Sequence, residues 1–164
     1  MSKVDLERLA ATHKDVVVST HSEHGDETAV VLASHLMPVI RWLKDSAGYD
    51  FLVDITAVDY LGRDLRFEVI YHLRSMATTH RLRVKVQLAE LEEGIPPEVD
   101  SLVALWPGAN WLEREVWDLY GIKFKNHPDL RRILLYEEFQ GHPLRKDYPK
   151  DKRQPLVRRE SLLP

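Results

Sequence analysis

His80-Arg81-Leu82-Arg83-Val84-Lys85-Val86-Gln87-Leu88 alternates without a break, with Leu82, Val84, Val86 and Leu88 on one side and Arg81, Arg83, Lys85 and Gln87 on the other. A period of two marks a strand buried on one face and wet on the other, as in antiparallel sheets. Just upstream, Arg66 to Arg74 repeats the pattern with Phe67, Val69, Tyr71 and Leu73. Only Ser75 to Thr79 separates the two segments, which predicts a hairpin with Glu68 on the wet face among Arg81, Arg83 and Lys85. Phe51 to Asp59 supplies a third strand, read with Phe51, Val53, Ile55 and Ala57 facing inward. The expected core is therefore Phe51, Val53, Ile55, Phe67, Val69, Tyr71, Leu82, Val84 and Val86.

Toward the N-terminus, Val16 to Ser19 and Thr28 to Leu32 read as strands around the polar loop His21 to Glu27, which turns at Gly25. Leu36, Val39, Ile40 and Leu43 have helical spacing within Ser34 to Asp45, and Pro38 falls near the first turn, where a missing N–H does least harm. The first dozen residues predict a short amphipathic helix with Val4, Leu6, Leu9 and Ala10 on its apolar side. Toward the C-terminus come a polar loop, Glu90 to Pro97, and a short helix around Val99 to Trp106 broken by Pro107-Gly108. A sharper helix from about Trp111 to Tyr120 follows, and prolines 128, 143, 149 and 155 keep the remainder extended. The expected fold is α+β: a mostly antiparallel sheet with helices packed on one side over residues 1–122, and an extended basic C-terminal arm over 123–164.

With 164 residues, 44% of them hydrophobic, the chain suits one domain with a real core. It has no cysteine, which excludes disulfides, thiolate nucleophiles and cysteine-ligated iron–sulfur clusters. Residues 1–120 carry 12 Lys and Arg against 20 Asp and Glu, whereas residues 121–164 carry 11 against 6. An acidic body with a basic tail predicts a tail that docks on something acidic. No stretch approaches the ~20 apolar residues of a membrane span. The N-terminus lacks signal and transit features, so a cytoplasmic protein is expected unless a partner brings it to a membrane.

The Trp111–Tyr120 helix carries the most information. Asn110 reads as its N-cap, Glu113 as the capping-box partner, Gly121 as a left-handed C′ residue and Ile122 as the apolar residue after it. Leu112, Val116, Trp117, Leu119 and Tyr120 form an apolar arc, with Trp111, Arg114, Glu115 and Asp118 opposite. Glu113 lies inside the arc, so it either serves the helix terminus or sits part-buried against an Arg or Lys. Trp111 stands among charges, which predicts cover by another protein or by a loop of its own chain.

Metal, nucleic-acid and dinucleotide chemistry each lack their pattern. His21 and His24 share a loop, and His127 and His142 flank the Arg-rich segment, but none forms a metal-ligand spacing. Histidines 127 and 142, each followed by proline, read as structural. The basic residues of the tail come without a helix-turn-helix or an aromatic stacking surface, and the net charge of −3 opposes nonspecific nucleic-acid binding. None of the seven glycines forms a G-x-G-x-x-G turn for a dinucleotide.

Glu113-Arg114-Glu115, Asp118-Leu119-Tyr120, His127 and Arg131-Arg132-Ile133-Leu134 together resemble the signature of the thirty-kilodalton (C-type) subunit family of respiratory complex I. The resemblance continues through Gly141-His142-Pro143-Leu144-Arg145-Lys146-Asp147-Tyr148-Pro149 and reaches back to Trp106–Trp111 and to Asp54–Tyr60. Asn126 departs from the pattern, which usually has Gly before the His; a left-handed backbone is still open to Asn. The resemblance implies a non-catalytic subunit of the peripheral arm of a proton-translocating NADH:quinone oxidoreductase. FMN, iron–sulfur clusters and quinone would be bound by partner subunits. Its neighbours would be the quinone-site subunit of the forty-nine-kilodalton (D) type and the subunit that holds the terminal iron–sulfur cluster, on the cytoplasmic side of the bacterial inner membrane. Subunits of related membrane-bound hydrogenases and other quinone-reducing complexes share the pattern and remain the alternative.

On this reading Arg131, Arg132 and Arg145 clamp carboxylates, partly Glu113, Glu115 or Asp118 and partly those of the quinone-site subunit. Lys146 and Asp147 complete the set of interface or structural ion-pair residues. Residues from about Lys150 to Pro164 are expected to order only with a partner. The end soon after Arg158-Arg159 is expected of a form not fused to the quinone-site subunit.

Overall fold

The computed structural model describes residues 2–92 and 95–156; the end of the chain beyond Leu156, including Arg158-Arg159, lies outside the described residues. The elements run α1 (Ser2–Thr12), β1 (Val17–His21), β2 (Thr28–Val31), α2 (Leu36–Asp45), β3 (Phe51–Asp59), β4 (Phe67–Arg74), β5 (Arg81–Leu88), β6 (Glu98–Asp100), α3 (Ala109–Tyr120) and β7 (Lys123–Lys125). Five strands form one sheet in the order β1-β2-β5-β4-β3, antiparallel except for the β2–β5 pair. The β4–β5 hairpin has the expected register, with Val69 opposite Val86 and Tyr71 opposite Val84. Leu82, Val84 and Val86 join Phe67, Val69 and Tyr71 in a single core. Leu6 and Leu9 of α1 and Leu36, Val39, Ile40 and Leu43 of α2 close that core from the helical side. On the wet face Lys85 Nζ donates to Glu68 at 2.7 Å, while Arg81 and Arg83 pair farther along with Arg74 and His72.

Three expectations change. Phe51 and Val53 are 48% and 49% exposed, and Leu52 takes the buried place. A β-bulge causes this: the register steps from Leu52↔Leu73 to Asp54↔His72, so Val53 is an extra residue and the inward phase begins only at Ile55. Second, the Val99–Trp106 helix does not form. Glu98–Asp100 is a strand paired in parallel with β7, because Val99 and Phe124 can bury side by side, and residues 103–105 make a turn. Third, α3 begins at Ala109 with Gly108 as its cap, so Asn110 is already helical and no side chain caps the N-terminus.

Candidate functional site

The C-terminal end of α3 and the segment that follows build the site. A helix leaves its last four carbonyls without partners, and here all four are answered. Gly121 N–H donates to Trp117 O at 2.8 Å, in the left-handed conformation its φ of 72° requires. His142 Nδ1 donates to Asp118 O at 2.9 Å, Leu144 N–H to Leu119 O at 3.1 Å, and Arg145 Nε to Tyr120 O at 2.6 Å. The Arg145 cation also faces the negative end of the helix dipole. Gly121 is required for a second reason: a Cβ there would lie 2.6 Å from the His142 ring.

Asp118 holds the same arm from the side. Its Oδ1 accepts from Arg132 Nη1 at 2.6 Å, and its Oδ2 accepts from the successive amides of Ile133, Leu134 and Leu135 at 3.0, 2.9 and 2.9 Å. Burial alone would raise its pKa; the three amides and Arg132 outweigh burial and hold the carboxyl below its usual range. Arg132 also donates to the carbonyls of Phe139 and Gly141, and Arg114 donates to those of Arg131 and Arg132. Arg114 and Asp118 of α3 and the segment from Arg131 to Leu135 are thus two halves of one clasp. Asn126 takes the left-handed backbone, φ 63°, that starts the arm.

A second cluster ties the arm to the sheet. Buried Arg66 grips Asp59 through two bonds, Nε to Oδ1 at 2.8 Å and Nη2 to Oδ2 at 2.7 Å. It also reaches Asp147 at 2.8 Å and pairs with Glu90. Lys146 contributes its amide, which donates to Asp59 Oδ2 at 2.8 Å. Burial would raise the Asp59 pKa, but the Arg66 and Lys146 bonds bring it down. Arg66, Asp59 and Glu90 were not identified from sequence as site residues. Asp59 does keep the inward phase of Ile55 and Ala57, and an acid in that phase calls for a buried cation.

The remaining expected residues separate. Glu113 is fully buried, yet it meets neither an arginine nor a lysine: Oε1 accepts from Leu102 N–H at 2.6 Å and Oε2 has no partner. Its role is neither capping box nor ion pair, because α3 starts earlier and the carboxyl points at the β6–α3 connection. Burial pushes its pKa up to about 7, against the opposing effects of the nearby Ser101 side chain and the Leu102 amide. Arg131 is exposed and pairs with Asp129 at 2.9 Å. Glu115 is exposed and makes no ion pair among the described residues. His127 bonds backbone at both nitrogens, the Asn110 carbonyl at 3.3 Å and the Asp129 amide at 3.0 Å. Trp111 stays 63% exposed, with the Arg114 guanidinium 5.5 Å from its ring. Arg145 lies over Phe67 at 5.1 Å on an open groove of about 550 Å³, lined also by Trp117, His142, Asp147 and residues 90–92 and 95–97. No described helix is long and apolar enough to cross a membrane.

Fold and clasp together define a class of protein: an α+β domain whose polar signature locks a C-terminal arm onto one helix. The family described as respiratory-chain NADH dehydrogenase, 30 Kd subunit, matches residues 29–154, and the chain belongs to it. It is similar to the C-type subunit of NADH-quinone oxidoreductase from Citrifermentans bemidjiense, 50% identical over 76% of this chain and 75% of that one. It is likewise similar to the C-type subunit from Roseiflexus castenholzii, 46% identical over 88% of this chain and 82% of that one. Among solved structures, a chain of the membrane-bound sulfane sulfur reductase, an archaeal respiratory membrane complex, superposes with a TM-score of 0.77. That likeness covers 92% of this chain and 86% of the other at 18% identity, and it concerns the fold.

Proposed function

We propose that this chain is a structural and assembly subunit in the peripheral arm of a proton-translocating NADH:quinone oxidoreductase. It supports electron transfer from NADH to quinone without binding FMN, an iron–sulfur cluster or quinone itself. It docks on the quinone-site subunit, near the one that holds the terminal iron–sulfur cluster, on the cytoplasmic side of the bacterial inner membrane.

The observation that carries this reading is Arg145. Nε is bonded to Tyr120 O and the guanidinium is stacked on Phe67, yet it meets no carboxylate at ion-pair distance among the described residues. The nearest acids, Asp59, Glu90 and Asp147, are held by Arg66. Burial, with Arg66 close by, lowers the Arg145 pKa. A rigid fork at the mouth of a groove suits a carboxylate from a neighbouring subunit. Breaking one side of such a desolvated pair costs about 3–5 kcal/mol. Arg145→Ala is therefore expected to lower the amount of assembled, membrane-attached complex severalfold, with turnover per assembled complex near normal. Normal assembly with quinone-reductase activity lost would place Arg145 in the chemistry and overturn the structural role.

A further inference from the structure

We infer that the outer face of the sheet, where the β3 bulge meets the β4–β5 hairpin, docks a segment of a neighbouring subunit in which carboxylates stand beside an apolar side chain. The inference rests on the proposed membership in a respiratory complex.

Three independent features converge there. The first is charge. Arg74 and Arg81 are direct cross-strand partners, and His72 lies opposite Arg83. Like charges placed opposite each other destabilise a strand pair, so the fold alone gives no reason for Arg74 opposite Arg81. Of the nearby acids, Asp26 on the groove's other rim pairs with Arg83 at 3.7 Å, Asp5 bonds His80 at 3.1 Å, and Glu27 accepts from the Ser22 hydroxyl, so none of the three pairs with Arg74 or Arg81. Asp54 faces His72 across the strands. Neither Arg74 nor Arg81 has an ion-pair partner among the described residues, and Arg74 Nε is buried with no hydrogen-bond partner.

The second feature is the bulge. By inserting Val53 it turns Phe51 and Val53 outward, and Met76 stands 60% exposed just past Arg74. Bulges re-aim side chains, and this one places two large apolar groups beside unpaired guanidiniums. The third is shape: an open groove of about 840 Å³ runs between Gly25–Glu27 and the hairpin, lined by Val53, His72, Arg74, Arg81 and Arg83. A free inorganic anion would use the guanidiniums and leave the apolar rim wet. A protein segment with Asp or Glu next to an apolar anchor uses both.

The test uses the whole complex in native membranes. A benzophenone amino acid replaces Val53, the membranes are irradiated, and adducts are mapped by mass spectrometry. Expected is an adduct to one neighbouring subunit, with Asp or Glu within a few residues of the joined position. Adding Arg74→Glu and Arg81→Glu should reduce the yield about tenfold. Adducts to lipid, to a second copy of this chain or to a segment without carboxylates would overturn the inference, as would no adduct in a complex that retains the chain. If the double variant fails to accumulate, the adduct of the singly labelled chain decides alone. Absence of the unsubstituted chain from the purified complex would overturn membership as well, which separates the two failures.

Discussion

At Asp118 one carboxylate collects an arginine and three successive amides, while Glu113, five residues earlier on the same helix, has a single amide and an orphaned oxygen. The two acids therefore respond to pH in opposite senses. The Glu113 pKa rises from 4.5 to about 7 on folding, chiefly through burial. As pH climbs above 4.5 the unfolded chain gives up this proton first, so folding loses stability until the folded group also ionises near 7. The loss is roughly 3 kcal/mol. Urea unfolding at a series of pH values should show this decline in the parent protein and its absence in Glu113→Gln. An equal slope in both would mean that another group carries it.

Elements set how much a substitution matters, as the sheet shows. Val84 and Val53 are both strand valines, yet one sits in the core and the other on a bulge. Val84→Asp buries an unpaired charge and should lower stability by several kcal/mol, whereas Val53→Asp should change it by less than about 1 kcal/mol. Comparable melting losses in the two variants would refute the register. The end of α3 gives a second case. Gly121→Ala meets both a left-handed backbone, which disfavours Ala by about 1–2 kcal/mol, and the His142 ring at 2.6 Å. Limited proteolysis should therefore cut within residues 126–156 faster in the variant than in the parent. Unchanged cleavage would show that the arm does not depend on this close approach.

For the whole molecule, the arm is a basic segment folded back on an acidic body and held by two carboxylate centres, Asp118 and the Asp59–Arg66–Asp147 cluster. Asp59, Asp118 and Asp147 all have folded pKa values below 3.8. Their stabilisation is complete above the unfolded value and disappears as pH falls through the folded ones. Acid should release the arm before the sheet opens, because the arm hangs on Asp118 and Asp59, whereas β4 and β5 are joined by their ladder and by apolar packing. Hydrogen exchange followed as the pH is lowered below 3.8 should then show residues 126–156 losing protection while β4 and β5 keep theirs. Simultaneous loss would mean that the arm and the sheet unfold as one unit.

The alternation of Leu82, Val84, Val86 and Leu88 determines by itself a strand, its buried face and its hairpin partner, because period and burial are local properties of a sheet with one wet side. The α2 helix and the left-handed Gly121 and Asn126 were legible for the same reason. So was the family, because its signature has fixed spacings. What each signature residue does was not legible, since the bonds join positions far apart in the chain. Asp118 meets residues 14 to 17 positions on, and Asp59 meets Lys146 across 87. The bulge at Val53 and the β6–β7 pair escaped sequence reading as well. An extra residue in one strand, or a three-residue strand, has too few local repeats to show a period, and only the partner across the sheet decides it.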